Sequence, residues 1–329
     1  MKKDITIIGN SVIDVLAGSF DAKVFETGSQ PVENIKIAFG GDALNEAVVL
    51  TRLGKKADLI TKVGRDEAGS RVLSFLKESG VATHQIIVED GLDTSINVVL
   101  IDKHGERYFL TNPAGSQRKL TEEDITPYLD SAKGIVSFAS IFVSPLLDIP
   151  AMTRIFKKIK EKPDRILVAD LTKAKKGECL EDLSGLLPYI DYILPNEDEI
   201  SLLTGEKDPY INARLLIESG VSCAVIKCGS KGCLIRTRDE MYHIPAYPVG
   251  NCIDTTGAGD SFAAGFLWAL SEGMPLMECG CFACAAASCT VECVGSTDGV
   301  ISAELPLNRY NEIKMAAKQC DVTVEKTKC

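Results

Sequence analysis

The stretch DTTGAGD, residues 254–260, places one carboxylate, Asp260, directly after Gly257-Ala258-Gly259 and at the head of the apolar helical pattern SFAAGFLWAL. Glycines allow a tight turn and close backbone approach to a ligand, while Thr255 and Thr256 offer hydroxyl donors. A helix beginning here adds unpaired N–H groups and the positive end of its dipole. Such a turn suits an anion, above all a phosphoryl group whose charge develops during transfer. A carboxylate beside it is placed to orient an acceptor hydroxyl and take its proton. Helix capping alone would explain one Asp at a helix start, but not the whole string.

Elements on both sides must carry that turn. DITIIGN, residues 4–10, is a short β-branched run closed by Gly9 and predicts a buried strand. NEAVVLTRLG has helical spacing and a glycine stop at Gly54. ADLITKVG then predicts a strand, and DEAGSRVLSFLKESG a helix ended by Gly80. GIVSFAS, RILVAD, YILPN and CAVIKCG repeat the apolar run, separated by helix-compatible stretches. This alternation predicts an α/β fold with a mostly parallel central sheet and helices on both faces.

Two stretches break the rhythm. Residues 15–40 show little helical periodicity, and 92–112 predict two strands joined around DKHGE. Together they predict a small β-sheet lid. The expected organisation is a core of 1–14, 41–91 and 113–329, holding the nucleotide and catalytic sites, with a lid of 15–40 and 92–112. With no internal repeat or long linker, the lid is expected to sit tightly on the core.

Of the 329 residues, 45% are hydrophobic and 25% charged, which supports a sizeable core in one large or two ordinary domains. A net charge of -10 argues against a nucleic-acid surface. The start, MKKDITIIGNSVIDVLAGS, imitates a signal peptide, but Asp4, Asn10 and Asp14 interrupt the apolar run. No stretch of about 18 uncharged apolar residues marks a membrane span. A cytoplasmic location is expected, with the 12 cysteines as free thiols. CGCFACAAASCTVEC holds a single CxxC, Cys281 to Cys284, and no nearby His to complete a zinc set, so these cysteines are expected to pack like alanines. The three histidines, His84, His104 and His243, lie in no motif, which disfavours a His-dependent triad.

DTTGAGDSF strongly resembles the second signature of the ribokinase-like (PfkB) carbohydrate kinases. FGGDALNEAVVLTRLG, residues 39–54, resembles the family's first signature. LPNEDEISLLTG resembles its N-x-x-E motif through Asn196 and Glu199, and IKCGSKGC its K-x-G-x-x-G element through Lys227, Gly229 and Gly232. Four motifs in family order, over nearly the whole chain, are far more specific than any one of them. Asp42 and Asn45 in GGDALN lean towards the fructokinase-like branch.

The resemblance implies an ATP-dependent sugar kinase with Asp260 as catalytic base and Gly257, Ala258 and Gly259 holding the transferring phosphoryl group. Thr255 or Thr256 would contact the β- or γ-phosphate, and Lys227, Gly229 and Gly232 would line the nucleotide phosphates. Asn196 and Glu199 would position Mg²⁺ through water, since magnesium sheds its hydration reluctantly. Asp14, Gly41, Asp42 and Asn45 would meet the sugar, with Asn97 and Arg107 reaching down from the lid. A monovalent cation such as K⁺ is implied beside the anion hole, held by backbone carbonyls to which Asp254 and Thr256 contribute.

Two segments depart from the family pattern. Asp170-Leu171-Thr172-Lys173 replaces its D-x-N-x-R, and FASIFVS lacks the Gly-Ser often found after the central strand. Both lie near the substrate in the family, so its favoured sugar does not carry over. The expected acceptor is a hydroxyl of a free monosaccharide, fructose- or ribose-like; the alternatives are a nucleoside kinase and an inactive sugar-binding sensor. A phosphosugar would want more basic residues than the sugar-side motifs offer, and a dinucleotide-dependent oxidoreductase would want G-x-G-x-x-G where only Gly9 stands. The strands of the lid predict a sheet edge or face that a second subunit covers, hence a homodimer through the lid.

Overall fold

The computed structural model describes residues 4–103 and 107–322. In chain order the first seven strands are β1 (Ile5–Ile8), β2 (Val12–Phe20), β3 (Asn34–Gly40), β4 (Ala57–Gly64), β5 (Ile86–Glu89), β6 (Ile96–Asp102) and β7 (Arg107–Thr111). The next seven are β8 (Ile135–Ile141), β9 (Ile166–Leu171), β10 (Tyr192–Ile193), β11 (Cys223–Lys227), β12 (Cys233–Arg236), β13 (Met241–Ile244) and β14 (Lys318–Cys320). Helices α1 (Val24–Thr27), α2 (Asp42–Arg52), α3 (Glu67–Glu78), α4 (Glu122–Leu129) and α5 (Ile149–Lys160) fill the first half. Helices α6 (Glu197–Thr204), α7 (Pro209–Glu218), α8 (Ala258–Glu272), α9 (Leu276–Thr290) and α10 (Glu304–Ala316) fill the second.

Among the described residues the larger sheet has ten strands in the order β14-β13-β12-β11-β10-β9-β8-β1-β4-β5. The run from β11 to β5 is parallel, and β12, β13 and β14 continue it antiparallel. Successive side chains of β1 feed opposite cores: Ile7 packs with α2, α8 and α9, and Ile8 with α4 to α7. This is the mostly parallel sheet with two covered faces that the alternation of apolar runs predicts. The strand expected from YILPN shrinks to Tyr192–Ile193, because Pro195 has no N–H to donate to a ladder.

The smaller sheet has the order β3-β2-β6-β7. Strand β2 starts at Val12, so Asp14, allotted to the core segment 1–14 by sequence, lies on a strand of this sheet. Two strands flank DKHGE as expected; its His104, Gly105 and Glu106 lie outside the described residues.

The contact that sets the position of α8 is its crossing with α9. A Cβ on Gly265 would lie 2.8 Å from Ala286 Cβ, so a glycine is needed where the helices touch. One turn on, Trp268 stacks on Phe282 at 4.2 Å between centroids. Cys279, Cys281, Cys284 and Cys289 are buried in this core with the alanines around them. Burial pushes the Cys279 and Cys281 thiols up to about 12, so neither ionises at neutral pH. Ten described cysteines are free thiols, whereas Cys320 is disulfide-bonded, contrary to the expectation of thiols throughout.

Phe282 is fully buried, and Phe282→Ala is expected to lower unfolding free energy by about 3–5 kcal/mol in urea denaturation. Leu202→Ala, at a side chain left exposed, is expected to change it by less than about 0.5 kcal/mol.

Candidate active site

The parallel strands deliver their C-terminal ends to one edge of the sheet, where crevices in open α/β sheets hold ligands. Asp170 comes from the end of β9, Lys227 from the end of β11, and Asn196 lies just beyond β10. The N-terminus of α8 meets the same edge. Its capping position is Gly257, in the left-handed region at φ 72°, and no side chain caps it. A Cβ there would lie 2.2 Å from the Ser296 carbonyl oxygen, so this position requires glycine twice over. The reading of Asp260 as a helix cap is thereby excluded; it stands in the first turn, at the third helical residue. At Gly259 a Cβ would make only an ordinary contact, with Lys227 Nζ at 3.7 Å.

A cavity of about 770 Å³ opens in front of this turn. Ala258, Gly259, Asp260 and Thr255 line it, as do Asp42, Asn196, Glu199, Lys227, Gly229 and Gly232. Gly232 also has a backbone role, at φ 96° with a Cβ position 1.9 Å from Ile244 O. Asp14, Gly41, Asn45, Asn97, Arg107, Asp254, Thr256 and Gly257 are not part of this lining.

Carboxyl groups crowd the site. Asp260 retains some solvent contact through the cavity, yet protein surrounds it. Burial pushes it up to about 6; a hydrogen bond from Asn45 and the Lys227 charge oppose this, and Asp42 and Glu199 add to it. Burial likewise raises Asp42, whose Oδ1 accepts from the N–H groups of Ala43 at 2.8 Å and Asn10 at 3.2 Å. Gly41, at φ 95°, lets the chain pass Asn10, whose carbonyl oxygen would lie 2.5 Å from a Cβ. Lys227 Nζ contacts Asp170 Oδ2 at 2.5 Å. Burial opposes its charge, but Asp170 and Glu199 outweigh that and hold the ammonium protonated. Asp170 itself is raised by burial and by Glu199, with Lys227 opposing. The pair remains ionic at neutral pH, because a proton on Asp170 would strip a buried ammonium of its closest partner.

The N-x-x-E motif forms a capping box on α6. Asn196 Oδ1 accepts from Glu199 N–H, and Glu199 Oε2 from Asn196 N–H, both at 2.8 Å. Glu199 Oε1 is left for a ligand. Among the described residues no group of three or more His, Cys, Asp or Glu is gathered to hold a metal ion directly. One carboxylate oxygen beside a neutral amide could hold a hydrated cation carried in by phosphates through its water.

On the smaller sheet, Asn97 Nδ2 donates to Asp14 Oδ1 at 2.9 Å, while the buried Asn97 Oδ1 has no partner among the described residues. Arg107 extends to the core, donating to Asp254 Oδ1 at 2.5 Å. Asp254 Oδ1 also accepts from Thr256 N–H at 2.8 Å and Oδ2 from Gly295 N–H at 3.2 Å. Burial would raise Asp254, but these donors outweigh it and hold the carboxyl below its usual range. Its side chain is thus engaged, leaving only the backbone for the cation expected at Asp254 and Thr256. Asn45, expected on the sugar, donates instead to Asp260 Oδ2 at 2.6 Å and accepts from Ser296 Oγ at 3.0 Å.

Three residues emerge that motif reading passed over. Asp170 was noted only as a departure from D-x-N-x-R. Ser296 sits in a loop without pattern, and Glu46 looks like one more helix residue after Asn45. Glu46 is fully buried and accepts from Ser137 Oγ at 2.8 Å.

Comparison with known proteins accords with this geometry. The sequence model of the pfkB family carbohydrate kinases matches residues 2–303. An uncharacterised sugar kinase of Archaeoglobus fulgidus is 31% identical over 255 residues, 76% of this chain and 97% of that protein. The probable fructokinase-5 of Arabidopsis thaliana is 28% identical, over 73% of this chain and 75% of its own. The crystal structure of Thermotoga maritima ribokinase superposes with a TM-score of 0.79 at 25% identity, covering 94% of this chain and 99% of that one. Similarity to fructokinase and ribokinase alike gives the lean towards a fructokinase-like branch little weight.

Burial pushes Glu46 well above its ordinary 4.5; Ser137 opposes this, and the Asp260, Asp170 and Asp42 charges add to it. The folded protein thus keeps a proton that the unfolded chain releases, and stability falls as pH rises past about 4.5 towards the folded value. Glu46→Gln is expected to raise the melting temperature at about pH 8, with the gain vanishing near about pH 4, in calorimetry across pH. A difference that does not vary with pH would show that another group carries the dependence.

Proposed function

The chain belongs to the pfkB family of carbohydrate kinases, and on that premise we propose that it transfers the γ-phosphoryl group of ATP to a hydroxyl of a free, fructose- or ribose-like monosaccharide. The observation that carries this reading is the pairing of Asp260 with the uncapped first turn of α8 on one wall of the cavity. Held near 6, Asp260 is mostly ionised at neutral pH yet basic enough to take a proton as the hydroxyl attacks. The N–H groups of Gly257 and Gly259 would face charge that grows on the transferring phosphoryl group, with Lys227 reinforcing them, while the Ala258 N–H donates to Thr255 O at 3.2 Å. Thr255 and Thr256 would meet the β- or γ-phosphate, and Gly229 and Gly232 would give the nucleotide phosphates room.

Mg²⁺, carried in with ATP, would offset phosphate charge beside Asn196 and Glu199. Potassium, if used, would sit on backbone carbonyls near Asp254 and Thr256. On the acceptor side, Asp42, Asp14 and the unpartnered Asn97 Oδ1 offer the paired acceptors that adjacent hydroxyls need, with Gly41 keeping the backbone close. The lid, drawn to the core by Arg107, would exclude water, directing phosphate to sugar instead of hydrolysis.

The smaller sheet supports a homodimer through the lid. By register, Ile37, Val15, Val98 and Leu110 line one face with Ile35, Ala17, Leu100 and Tyr108, while Asp14 and Asn97 occupy the other. Ile35, Ile37, Tyr108 and Leu110 are exposed, an apolar face of the kind a second subunit covers.

The test is ADP release from ATP and Mg²⁺ over a panel of sugars, sugar acids and nucleosides. One strong sugar acceptor is expected; a nucleoside would move the protein to the alternative reading, and ATP binding without any acceptor would favour a sensor. Asp260→Asn is expected to bind ATP but lose about 10²–10⁴ in kcat. In the wild type, kcat/KM should fall towards acid with a midpoint near the Asp260 value of about 6. Light scattering should find a dimer that Ile37→Asp dissociates; a monomer in both cases would remove the interface.

A further inference from the structure

Both ends of the Asn45 amide are engaged by the protein. It is 4% exposed and lies outside the cavity lining. Its amide nitrogen donates to Asp260 Oδ2 at 2.6 Å and its amide oxygen accepts from Ser296 Oγ at 3.0 Å. The order of donors follows from chemistry. An ionised carboxylate only accepts, so the amide must turn its NH₂ to Asp260, and its oxygen then needs the hydroxyl that Ser296 supplies. Ser296 is itself fixed: its carbonyl presses on Gly257, its neighbour's carbonyl, Thr297 O, accepts from Arg52, and it is 8% exposed. The same residue thus abuts the anion-binding turn and anchors the partner of the carboxylate beside it.

We propose that Asn45 and Ser296 are positioning residues for the reaction: a chain Ser296–Asn45–Asp260 holds Asp260 Oδ2 and leaves Oδ1 as the oxygen that meets the acceptor hydroxyl. This rests on the reading of Asp260 as the base. The chain has an electrostatic effect as well as a geometric one, since a donor to the carboxylate favours its ionised form. Around Asp260 stand Asp42 and Glu46 from α2, Glu199 from α6 and Lys227 from β11, so carboxylates outnumber cations. Without Asn45 only Lys227 and the first turn of α8 would oppose them.

Two variants and one label test this. Full-length protein carrying ¹³C-carboxyl aspartate is titrated by NMR, with Asp260→Asn assigning the resonance. Asp260 is expected to titrate near about 6 in the wild type and at higher pH in both Asn45→Ala and Ser296→Ala. With the acceptor found by the sugar panel, kcat should drop about tenfold or more, the worth of a hydrogen bond to a charged group, while the acceptor KM changes little. Ser296→Thr, which keeps the hydroxyl, should recover most of the loss.

Unmoved Asp260 titration in folded variants would overturn the proposal, as would a loss confined to the acceptor KM, which would return Asn45 to the sugar. If Asn45→Ala does not fold, Ser296→Ala decides alone. Near wild-type turnover in Asp260→Asn would instead bring down the base itself, whatever the two variants do.

Discussion

The first turn of α8 presents N–H groups and a dipole end that no side chain satisfies, because the residue in the capping position is held against Ser296 so closely that only glycine fits. Glycine makes the contact and, having no side chain, cannot cap. Around that bare positive end the chain collects Asp42, Glu46, Asp170, Glu199 and Asp260, with one buried ammonium, Lys227, among them. In water such a cluster would be of small consequence, since two unit charges about 4 Å apart interact by about 1 kcal/mol. At the effective dielectric near a protein surface the same pair interacts by about 4 kcal/mol. The helix end and Lys227 are the groups that oppose this excess of carboxylates.

The effect on Asp260 has a definite size. Moving a carboxyl from 3.8 to about 6 corresponds to roughly 3 kcal/mol of lost preference for the charged form. A protein optimised only for stability would not keep it. Glu46 is the more costly case, buried out of reach of the cavity with a serine hydroxyl as its partner. Its neighbours are like charges, so protonation is its relief. The raised Glu46 favours its protonated form, which eases the like-charge crowding around Asp260.

Much of this was legible in the sequence, for physical reasons. Apolar runs alternating with helical stretches reveal a parallel sheet, because strands buried on both faces must be apolar throughout. DTTGAGD reveals the glycine turn that opens α8 on the cavity wall, because the turn, the close approach and the first helical residues are consecutive in the chain. The Asn45–Asp260 bond joins residues 215 positions apart, and Arg107–Asp254 joins residues 147 apart. No periodicity records such pairs. The family resemblance placed Asn45 and Arg107 on the substrate; in the fold each meets a carboxylate of the protein. Ser296 left no signal at all, since it acts through a backbone contact and one hydroxyl.

The pair Arg107–Asp254 links the two sheets in a way that bears on how such a site works. Arg107 begins β7, and Asp254 stands two residues before the Thr256 whose N–H it holds, next to the turn that opens α8. Besides the guanidinium, Asp254 accepts from the Thr256 and Gly295 N–H groups. One carboxylate oxygen is shared by Arg107 and Thr256, so a single atom joins the smaller sheet to the segment that leads into α8. The smaller sheet also carries Asn97, whose buried Oδ1 has no partner among the described residues, and an unsatisfied buried acceptor costs about 1–3 kcal/mol, a cost that a donated hydroxyl would remove.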